Sequence, residues 1–339
     1  MGLQIGNLVP KKEISFEDLK NKKVAVDASQ MLYQFLSSIR QRDGTQLMDS
    51  SGNVTSHLQG IISRITNLIG KQVKLAFVFD GKPPLLKVHE QEEREYRKKQ
   101  AEKKLEEAKE QEDEELILRY SKQTTRLSNE IVKESKELVS ALGLPVIQAP
   151  SEAEAQAAFM AERNHVDYVG STDYDSLLYG APKIVKNLTL STKRRLPSGI
   201  YVSVTPELIE LREVLNNLGI DREQLIALSI LVGTDYNVGG IKGIGPKNAL
   251  RLVKEYKNFD NLFKQVKPDF DWKRIYATIK NMPVIKEYKL NWKIVDEEAV
   301  KALLVDKHEF NEERVDNFLN QLSGKKQVSK DQKGLNKWF

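Results

Sequence analysis

Short apolar runs alternate with longer amphipathic stretches along the first half of the chain. The apolar runs predict β-strands at 23–26, 73–79, 145–148, 166–171 and 184–186. Apolar residues at helical spacing predict α-helices at 29–40, 58–69 and 131–142. Strands separated by helices of this length are typical of parallel βαβ units. The pattern therefore predicts an α/β fold with a central, mostly parallel sheet flanked by helices.

Seven carboxylates lie at or just beyond the ends of predicted strands, or in the turns that follow them. They are Asp27, Asp80, Glu152, Glu154, Asp173, Asp175 and Asp235. In an open α/β sheet, ligands bind outside the carboxyl ends of the strands, so we expect these side chains to converge. Oxygen ligands without cysteine or histidine neighbours select Mg²⁺ or Mn²⁺. The set therefore predicts a two-metal phosphodiesterase centre.

Each of these acids also has a purely structural interpretation. Asp27 could cap the helix that begins near Ser29, and Asp80 could fill a turn. Ser151 and Glu154 match a capping box, in which both would be structural. The placement of the whole set at one edge of the sheet favours the metal site over these single explanations.

Two basic side chains are candidates for holding a scissile phosphate. Lys87 and Arg94 lie at the start of a charged stretch, and their spacing would put them on one face of a helix. There they could neutralise the charge that develops during phosphodiester cleavage. The alternative interpretation is ordinary surface charge.

The stretch 91–115 breaks the strand–helix pattern with charges of both signs and only two large apolar side chains, Tyr96 and Leu105. Because it lacks a repeating apolar seam, it cannot form a coiled coil. It predicts either a solvated charged helix or a mobile helical arch at the mouth of the site. Its position soon after Asp80 favours the arch, which bound substrate would order.

Composition narrows the chemistry further. The 339 residues include no cysteine and four histidines without metal-ligand spacing, which excludes disulfides, thiolate catalysis and cysteine-built zinc sites. No apolar run reaches membrane length, so we expect a soluble intracellular protein. The net charge is +5 despite the acidic cluster, which indicates a basic surface around it. Such a surface suits an enzyme that binds a polyanion through metal ions.

The sequence GIGPK leads into a predicted helix at Asn248 and contains Gly243, Gly245 and Lys247. Glycines let backbone N–H groups approach a phosphate, and the helix amino terminus adds a favourable dipole. The motif resembles the helix-hairpin-helix element of proteins that bind duplex DNA without sequence preference. Such hairpins often hold a monovalent cation on their carbonyl groups, so K⁺ is a further expected ligand.

The residues Gln332, Leu335, Trp338 and Phe339 have the spacing of a sliding-clamp-binding box. One tight turn would present Leu335 and the aromatic pair to a hydrophobic pocket of the clamp. The alternative is a helix or strand end that folds back on the parent core. The polar linker that starts near Ser323 favours the tether.

Six motifs, taken in order, carry a family resemblance: DASQMLYQFL, FVFDGKPPLLK, QAPSEAEAQAA, STDYDSLLYGAP, GTDYNVGGIKGIGPKNA and the clamp-binding box. They span nearly the whole chain and resemble the archaeal flap structure-specific endonucleases of the XPG/Rad2-type 5′ nuclease superfamily. The resemblance implies a PIN-like 5′ nuclease fold whose seven acids serve two Mg²⁺ ions, replaceable by Mn²⁺. It implies that Lys87 and Arg94 contact the scissile phosphate and that Tyr33 stacks on a base near the cut. Gly2 and Arg40 would lie against bound DNA.

The resemblance also implies how the chain is organised. A 5′ nuclease domain would occupy residues 1–325, and a flexible tail with the clamp-binding box would occupy 326–339. The expected parts of the domain are an amino-terminal part to about 90, a helical arch at about 91–128, an internal nuclease part at about 129–232, a helix-hairpin-helix at about 233–258 and carboxyl-terminal helices at about 259–322.

The implied reaction is hydrolysis of a 5′ flap at a single-strand/duplex junction, with 5′–3′ exonuclease activity, in Okazaki fragment maturation and base-excision repair. The partners would be branched DNA and the sliding clamp PCNA, and the chain would act as a monomer. The stretch 45–60 resembles the pocket for a one-nucleotide 3′ flap. Because the sequence stops at Phe339, without the Lys-rich extension of eukaryotic relatives, we expect an archaeal, cytoplasmic protein; a eukaryotic source would make it nuclear.

Other functions compete with this one. A sister-branch 5′ exonuclease or bubble-cutting repair nuclease would share the metal chemistry, but the clamp-binding box and short arch favour flap cutting. A catalytically idle, clamp-bound DNA-junction scaffold would lack metal ligands, whereas all seven acids are present. A small-molecule phosphohydrolase would have no use for the hairpin or the box.

Overall fold

The computed structural model describes residues 3–41, 43–188, 193–195 and 201–322. The strands in these ranges are β1 Lys12–Glu13, β2 Lys23–Asp27, β3 Lys74–Phe79, β4 Val146–Gln148, β5 Tyr168–Gly170, β6 Lys183–Lys186, β7 Lys193–Arg195, β8 Tyr201–Ser203 and β9 Glu207–Glu210. Strands β7 and β8 pair with each other as an antiparallel ribbon. The other strands form one seven-stranded sheet in the order β1-β9-β6-β5-β2-β3-β4.

The helices cover both faces of the sheet and build the arch and the carboxyl-terminal region. Within the described ranges they are α1 Ala28–Ser38, α2 Ser56–Gly60, α3 Thr66–Gly70, α4 Val88–Glu110, α5 Glu114–Gln123, α6 Asn129–Ala141, α7 Ala153–Glu162, α8 Asp175–Leu178, α9 Leu211–Leu218, α10 Arg222–Val232, α11 Pro246–Glu255, α12 Phe259–Val266, α13 Trp272–Lys280, α14 Glu297–Lys301 and α15 Glu312–Leu322. Wider π-helical turns follow α2 and α14, at Ile61–Ile65 and Ala302–Lys307. In the part of the chain that the structure covers, none of these helices combines the length and apolar character needed to span a bilayer.

The predicted mostly parallel sheet is confirmed. Strands β4, β3, β2, β5 and β6 run parallel to their neighbours. At the far edge β9 pairs antiparallel with β6, and β1 with β9. This edge escaped prediction because β1 is two exposed residues long and β9 begins and ends with Glu.

Alternating side chains of the central strands feed two separate apolar layers. Val24, Val26 and Phe77 belong to the layer that includes residues of α1 and α6. Ala25 and Val78 point the other way, into the layer that includes residues of α7 and α10. Burial on both faces is what continuous apolar runs such as VAV and LAFVF predict. The helices thus sandwich the sheet and leave its carboxyl edge open.

The predicted helices are present, with one difference in form. The expected helix at 58–69 is divided into α2, the π-helical turn and α3. The charged stretch is helical, as predicted, and forms α4, which packs against α5. Helix α5 also contacts α1, so the two helices of the expected arch are connected to the core of the fold close to the open edge of the sheet.

Candidate active site

A cavity of about 700 Å³ lies at the carboxyl edge of the sheet, where the sequence predicts the site. All seven predicted acids line it: Asp27, Asp80, Glu152, Glu154, Asp173, Asp175 and Asp235. Asp27 ends β2 and Asp80 follows β3, while the two pairs follow β4 and β5. The last acid, Asp235, comes from the turn after α10. The fold therefore brings carboxylates from five segments to one place.

Gln30 connects two of these segments. Its backbone N–H donates to Asp27 Oδ1 at 3.0 Å, which makes Asp27 the N-cap of α1. Its side-chain Nε2 donates to Asp173 Oδ2 at 2.9 Å. Its Oε1 accepts from the Thr172 N–H at 2.6 Å. The capping interpretation of Asp27 is therefore correct and compatible with a metal site, because the cap uses one carboxylate oxygen and leaves the other.

The two glutamates lie at the mouth of a helix, as their spacing predicts. Helix α7 begins at Ala153, so Glu152 is its N-cap residue and Glu154 lies in its first turn. The alternative interpretation, a capping box at Ser151, does not form, because the helix starts too late for Ser151 to cap it. The Ser151 hydroxyl instead donates to the Lys82 carbonyl at 3.0 Å. Neither glutamate is used to cap α7, and both side chains line the cavity.

Hydroxyl and amide donors hold the remaining acids in place. Glu154 Oε1 accepts from Ser171 at 2.6 Å and from Ser176 at 3.0 Å. The Ala153 N–H donates to Asp80 Oδ1 at 2.7 Å. These donors come from the same βα turns as the acids, so the local fold orients the carboxylates before any ligand binds.

The beginning of the chain reaches the same cavity. The backbone N–H of Leu3 donates to Asp175 Oδ1 at 2.9 Å, although the two residues are 172 positions apart in the sequence. Gly2, the predicted DNA contact, directly precedes Leu3 and lies outside the described residues. No sequence pattern signals this contact, because it depends on a backbone group and on long-range folding.

Lys87 and Arg94, the predicted phosphate contacts, both pair with acids of the cavity. Lys87 Nζ lies 2.8 Å from Glu152 Oε2 and 3.3 Å from Asp235 Oδ2. Arg94 Nη2 lies 3.3 Å from the same Asp235 oxygen, and its Nε pairs with Glu90. Burial alone would lower the pKa of Lys87, but the two carboxylates outweigh burial and raise it above its ordinary value. Both side chains therefore carry positive charge at the cavity.

The acids repel one another and are partly withdrawn from water. Burial, with the neighbouring Asp80, raises the pKa of Asp27 well above its ordinary range. Burial, with repulsion from Asp175 and Asp27, does the same to the pKa of Glu154. The pKa of Asp175 rises to about 7 through burial and the nearby Asp235. A cluster in this condition holds protons at neutral pH unless cations take their place.

The seven acids line one cavity but do not surround a common point closely. Across 3–41, 43–188 and the other described ranges, no three acidic or histidine side chains meet closely enough to enclose a metal ion. Two carboxylates 4 Å apart repel by about 4 kcal/mol at an effective dielectric of 20. That repulsion opposes closer approach, and Lys87 supplies positive charge between Glu152 and Asp235. The donor set of carboxylate oxygens fits hard divalent cations.

Tyr33 and Arg40 both bond to Thr125, which follows α5. Tyr33 lines the cavity, its hydroxyl donates to the Thr125 carbonyl, and Lys98 Nζ lies 5.3 Å from its ring centre. Arg40 donates to Thr125 Oγ1 at 2.7 Å and to the Gly44 carbonyl at 2.8 Å. Arg40 therefore ties the end of the arch to the core, and its contact with DNA stays a prediction.

The stretch 45–60, predicted to hold a 3′ flap, is fastened to the carboxyl-terminal helices. Asp49 Oδ2 lies 2.9 Å from His308 Nδ1. The Ser50 hydroxyl donates to Glu309 Oε1 at 2.6 Å. His308 Nε2 lies 3.0 Å from Glu134 Oε1 of α6. Polar contacts centred on the buried His308 and Glu134 thus fix this loop, and none of the members named here was predicted.

The GIGPK turn leads into α11, and Gly245 is the N-cap residue of that helix. Gly243, with φ of +83°, has a backbone conformation that other residues rarely adopt. Gly243, Gly245 and Lys247 are exposed, and among the described residues only the immediate chain neighbours come within 4 Å of where a Cβ on either glycine would be. Helices α10 and α11 pack on each other across the turn. The predicted hairpin is therefore an open helix amino terminus that a phosphate can approach.

The clamp-binding residues are not part of this geometry. Gln332, Leu335, Trp338 and Phe339 lie outside the described residues, which end at Leu322. Their role stays a prediction from spacing.

Comparison with known proteins adds to this geometry. Residues 4–101 match the XPG N-terminal domain and residues 143–235 match the XPG I-region. The chain is 50% identical to flap endonuclease 1 of Thermococcus onnurineus over 341 residues, covering 100% of this chain and 99% of that protein. The chain belongs to the flap endonuclease 1 family. This membership confirms the resemblance drawn from the motifs.

Other family relatives and solved structures agree. Flap endonuclease 1 of Pyrococcus abyssi is 49% identical, covering 100% of this chain and 98% of that protein. The solved flap endonuclease-1 from Methanococcus jannaschii matches with a TM-score of 0.76 and 41% identity, covering 95% of this chain and 98% of that one. The catalytic core of Rad2 in complex with DNA substrate matches with a TM-score of 0.68 and 25% identity, covering 92% of this chain and 96% of that one. The nuclease fold of this family is therefore the fold of this chain.

Proposed function

We propose that this member of the flap endonuclease family hydrolyses a phosphodiester where a 5′ single strand leaves duplex DNA, using two Mg²⁺ ions in the acid-lined cavity. One observation carries the proposal: seven carboxylates from five segments line one cavity together with Lys87 and Arg94. Flap endonucleases bind branched DNA, which supplies the substrate class. Nucleases of this family depend on metal ions, and the choice of Mg²⁺ or Mn²⁺ rests on the all-oxygen donor set.

The seven acids would hold the two ions together, some directly and some through water. They are not separable into two groups, because Lys87 pairs with both Glu152 and Asp235. When bound, such ions would lower the pKa of a water molecule and stabilise the leaving oxygen. The chain's own contribution is to orient the carboxylates, through the bonds of Gln30, Ser171 and the Leu3 amide.

Lys87 and Arg94 hold the scissile phosphate. Both are paired with carboxylates in this structure, and a phosphate oxygen would compete for the same N–H donors. Their positive charge also opposes the charge that builds on the phosphate as the bond breaks. Arg97 and Lys98, which line the cavity one turn further along α4, extend this positive side toward the single strand.

Two other elements place the DNA. Tyr33 presents its ring to the cavity, and stacking on a base there would set the position of the cut. The exposed amino terminus of α11, with Gly243, Gly245 and Lys247, binds duplex phosphates, with K⁺ on the hairpin carbonyls as the expected counterion. Arg40 and Gly2 add contacts near the junction. Recognition of this kind reads DNA shape and not base sequence.

The box at Gln332, Leu335, Trp338 and Phe339 tethers the enzyme to the sliding clamp PCNA. A monomer tethered in this way would find flaps during Okazaki fragment maturation and base-excision repair. The polar linker from Ser323 gives the tether its reach.

The deciding experiment replaces one acid of the cavity that is not part of the apolar core. Asp173→Ala should abolish cutting of a labelled 5′ flap in Mg²⁺ while binding of the same DNA is retained. Asp269→Ala is the matched control, because Asp269 is exposed and does not line the cavity. Cutting by Asp173→Ala at the wild-type rate would contradict the metal assignment.

A further inference from the structure

An apolar groove of about 470 Å³ lies at the opposite end of the sheet from the acids. Asn21 and Lys74, at the amino ends of β2 and β3, mark its position. Its apolar walls include Ile69, Leu142, Trp292, Ile294, Leu319 and Leu322. Nothing in the site described above uses this groove.

The groove is preformed and unusually apolar for a surface. Ile294 is 94% exposed, so nearly all of its side chain is available to a ligand. Trp292 is fixed, because its indole N–H donates to the Leu75 carbonyl at 2.8 Å. A Cβ on Gly143, where φ is +75°, would lie 2.2 Å from the Lys293 carbonyl oxygen, so the wall packs backbone against backbone. Binding of an apolar ligand would therefore cost little entropy, because the wall of the groove is already ordered.

The chain itself delivers a ligand to this groove. Helix α15 ends at Leu322, and Leu322 lines the groove. The polar stretch that follows leads to the only cluster of large apolar residues beyond α15 in the sequence: Leu335, Trp338 and Phe339. Residues 323–334, if extended at about 3.3 Å each, reach about 40 Å, which is ample to fold back. A short tether gives an effective concentration on the order of millimolar.

We propose that the apolar box of Leu335, Trp338 and Phe339 docks in this groove of its own chain whenever no clamp holds it. The charged residues named on the rim are Lys74, Lys293 and Glu297, which leave only a small net positive charge, so the apolar match decides the occupant. A second copy of the chain would offer the same box only at its bulk concentration, and the tether therefore favours the chain's own box.

The box would then have two mutually exclusive bound states, one in the groove and one on the clamp. The same three side chains cannot fill the groove and a clamp pocket together, so groove binding competes with clamp binding. This competition rests on the proposed clamp role, whereas docking itself does not. Because the groove and the acid-lined cavity lie at opposite ends of the sheet, docking leaves the cutting of free DNA unchanged.

Engineered cysteines test the docking directly, because the native chain contains none. The full-length variant Lys293→Cys with Asn336→Cys places one thiol on the rim and one inside the box, while every apolar anchor is kept. The matched control pairs Asn336→Cys with Lys109→Cys, an exposed site on α4 that does not line the groove. Under mild oxidation we expect the rim pair to form an intramolecular disulfide at least about tenfold faster than the control pair.

The apolar side chains of the groove and of the box should control the rate of disulfide formation. Adding Ile294→Glu, or Trp338→Ser with Phe339→Ser, should reduce the rim pair to the rate of the control. Equal rates for the two pairs, or disulfide-linked dimers in place of monomers, would overturn docking within one chain. Flap cutting by Ile294→Glu, measured alongside, should equal wild type, so a failure of docking is distinguishable from a failure of the nuclease assignment.

Discussion

The side-chain amide of Gln30 lies 2.9 Å from the carboxylate of Asp173, and its backbone N–H lies 3.0 Å from that of Asp27. One residue in the first turn of α1 thus aligns acids from two different strand ends. The two carboxylates follow β2 and β5, which are neighbours in the sheet. A small change at Gln30 should therefore disturb two candidate ligands at once.

Gln30→Ala should weaken metal binding more than DNA binding. Loss of a hydrogen bond that orients a ligand typically costs 10- to 100-fold in metal affinity or activity. We expect the Mg²⁺ concentration that gives half-maximal cutting to rise about tenfold or more. Flap DNA binding without metal should be unchanged. The control is Gln41→Ala, an exposed glutamine beyond α1 that does not line the cavity; an equal Mg²⁺ requirement in both variants would remove Gln30 from the site.

Lys87→Ala separates phosphate contact from metal binding. Removal of a positively charged group from a transition state typically costs about 10²–10³-fold in rate. Metal binding should persist, because Lys87 competes with cations for Glu152 and Asp235 in this structure. Single-turnover cutting and metal titration by calorimetry measure the two effects separately. The control is Lys82→Ala, at an exposed position shortly before Lys87, which should behave as wild type. If Lys87→Ala lost metal binding but kept its cutting rate at saturating metal, the role given to Lys87 would be refuted.

The stability of the metal-free protein should fall as pH rises. The pKa of Asp175 is raised from 3.8 to about 7 in the folded chain, so between these values the native state binds the proton more tightly than the unfolded state. Deprotonation through this window therefore removes stability. Melting in EDTA from about pH 5 to about pH 8 should show a larger loss of Tm for wild type than for Asp175→Asn, by a few degrees.

Mg²⁺ should reverse that loss for wild type at the higher pH, because cations replace the protons that the cluster has released. Asp175→Asn should gain less from Mg²⁺. Identical pH dependence of Tm in both proteins would show that Asp175 is not held in the repulsive cluster described here.

Two substitutions of Tyr33 distinguish stacking from its hydrogen bond. Tyr33→Phe keeps the ring but loses the bond from the hydroxyl to the Thr125 carbonyl. Tyr33→Ala loses both, and stacking of one base is worth about 1–3 kcal/mol, or at least roughly a fivefold effect. We expect Tyr33→Phe to cut flap DNA nearly normally and Tyr33→Ala to cut it more slowly. Equal impairment of the two variants would show that Tyr33 acts by fixing the arch.

The acids of the site were predictable because parallel strands bring their carboxyl ends to one edge. Asp27 and Asp80 needed only the strand pattern to be placed, and Glu152 and Glu154 needed only a helix mouth. Lys87 was proposed on different grounds, from its spacing with Arg94 and from the family resemblance. The four acids are positioned by local structure that the sequence pattern reveals.

Contacts between distant segments could not be predicted from the sequence pattern. The Leu3 amide reaches Asp175, and His308 reaches Asp49, only after the whole chain has folded. The alternative capping role of Ser151 is excluded for a local reason: helix α7 starts at Ala153, and the serine hydroxyl donates to the Lys82 carbonyl instead. Competition of this kind among several acceptors is decided by tertiary packing and not by the motif.

Cleavage of one labelled set of DNAs tests the central claim most directly. The set contains a 5′ flap, a nicked duplex, a bubble and a single strand, each incubated with Mg²⁺ or with EDTA. Our account predicts cutting at the flap junction far faster than on the other substrates, and none in EDTA. Tight flap binding without cutting in Mg²⁺, or cutting that persists in EDTA, would contradict it.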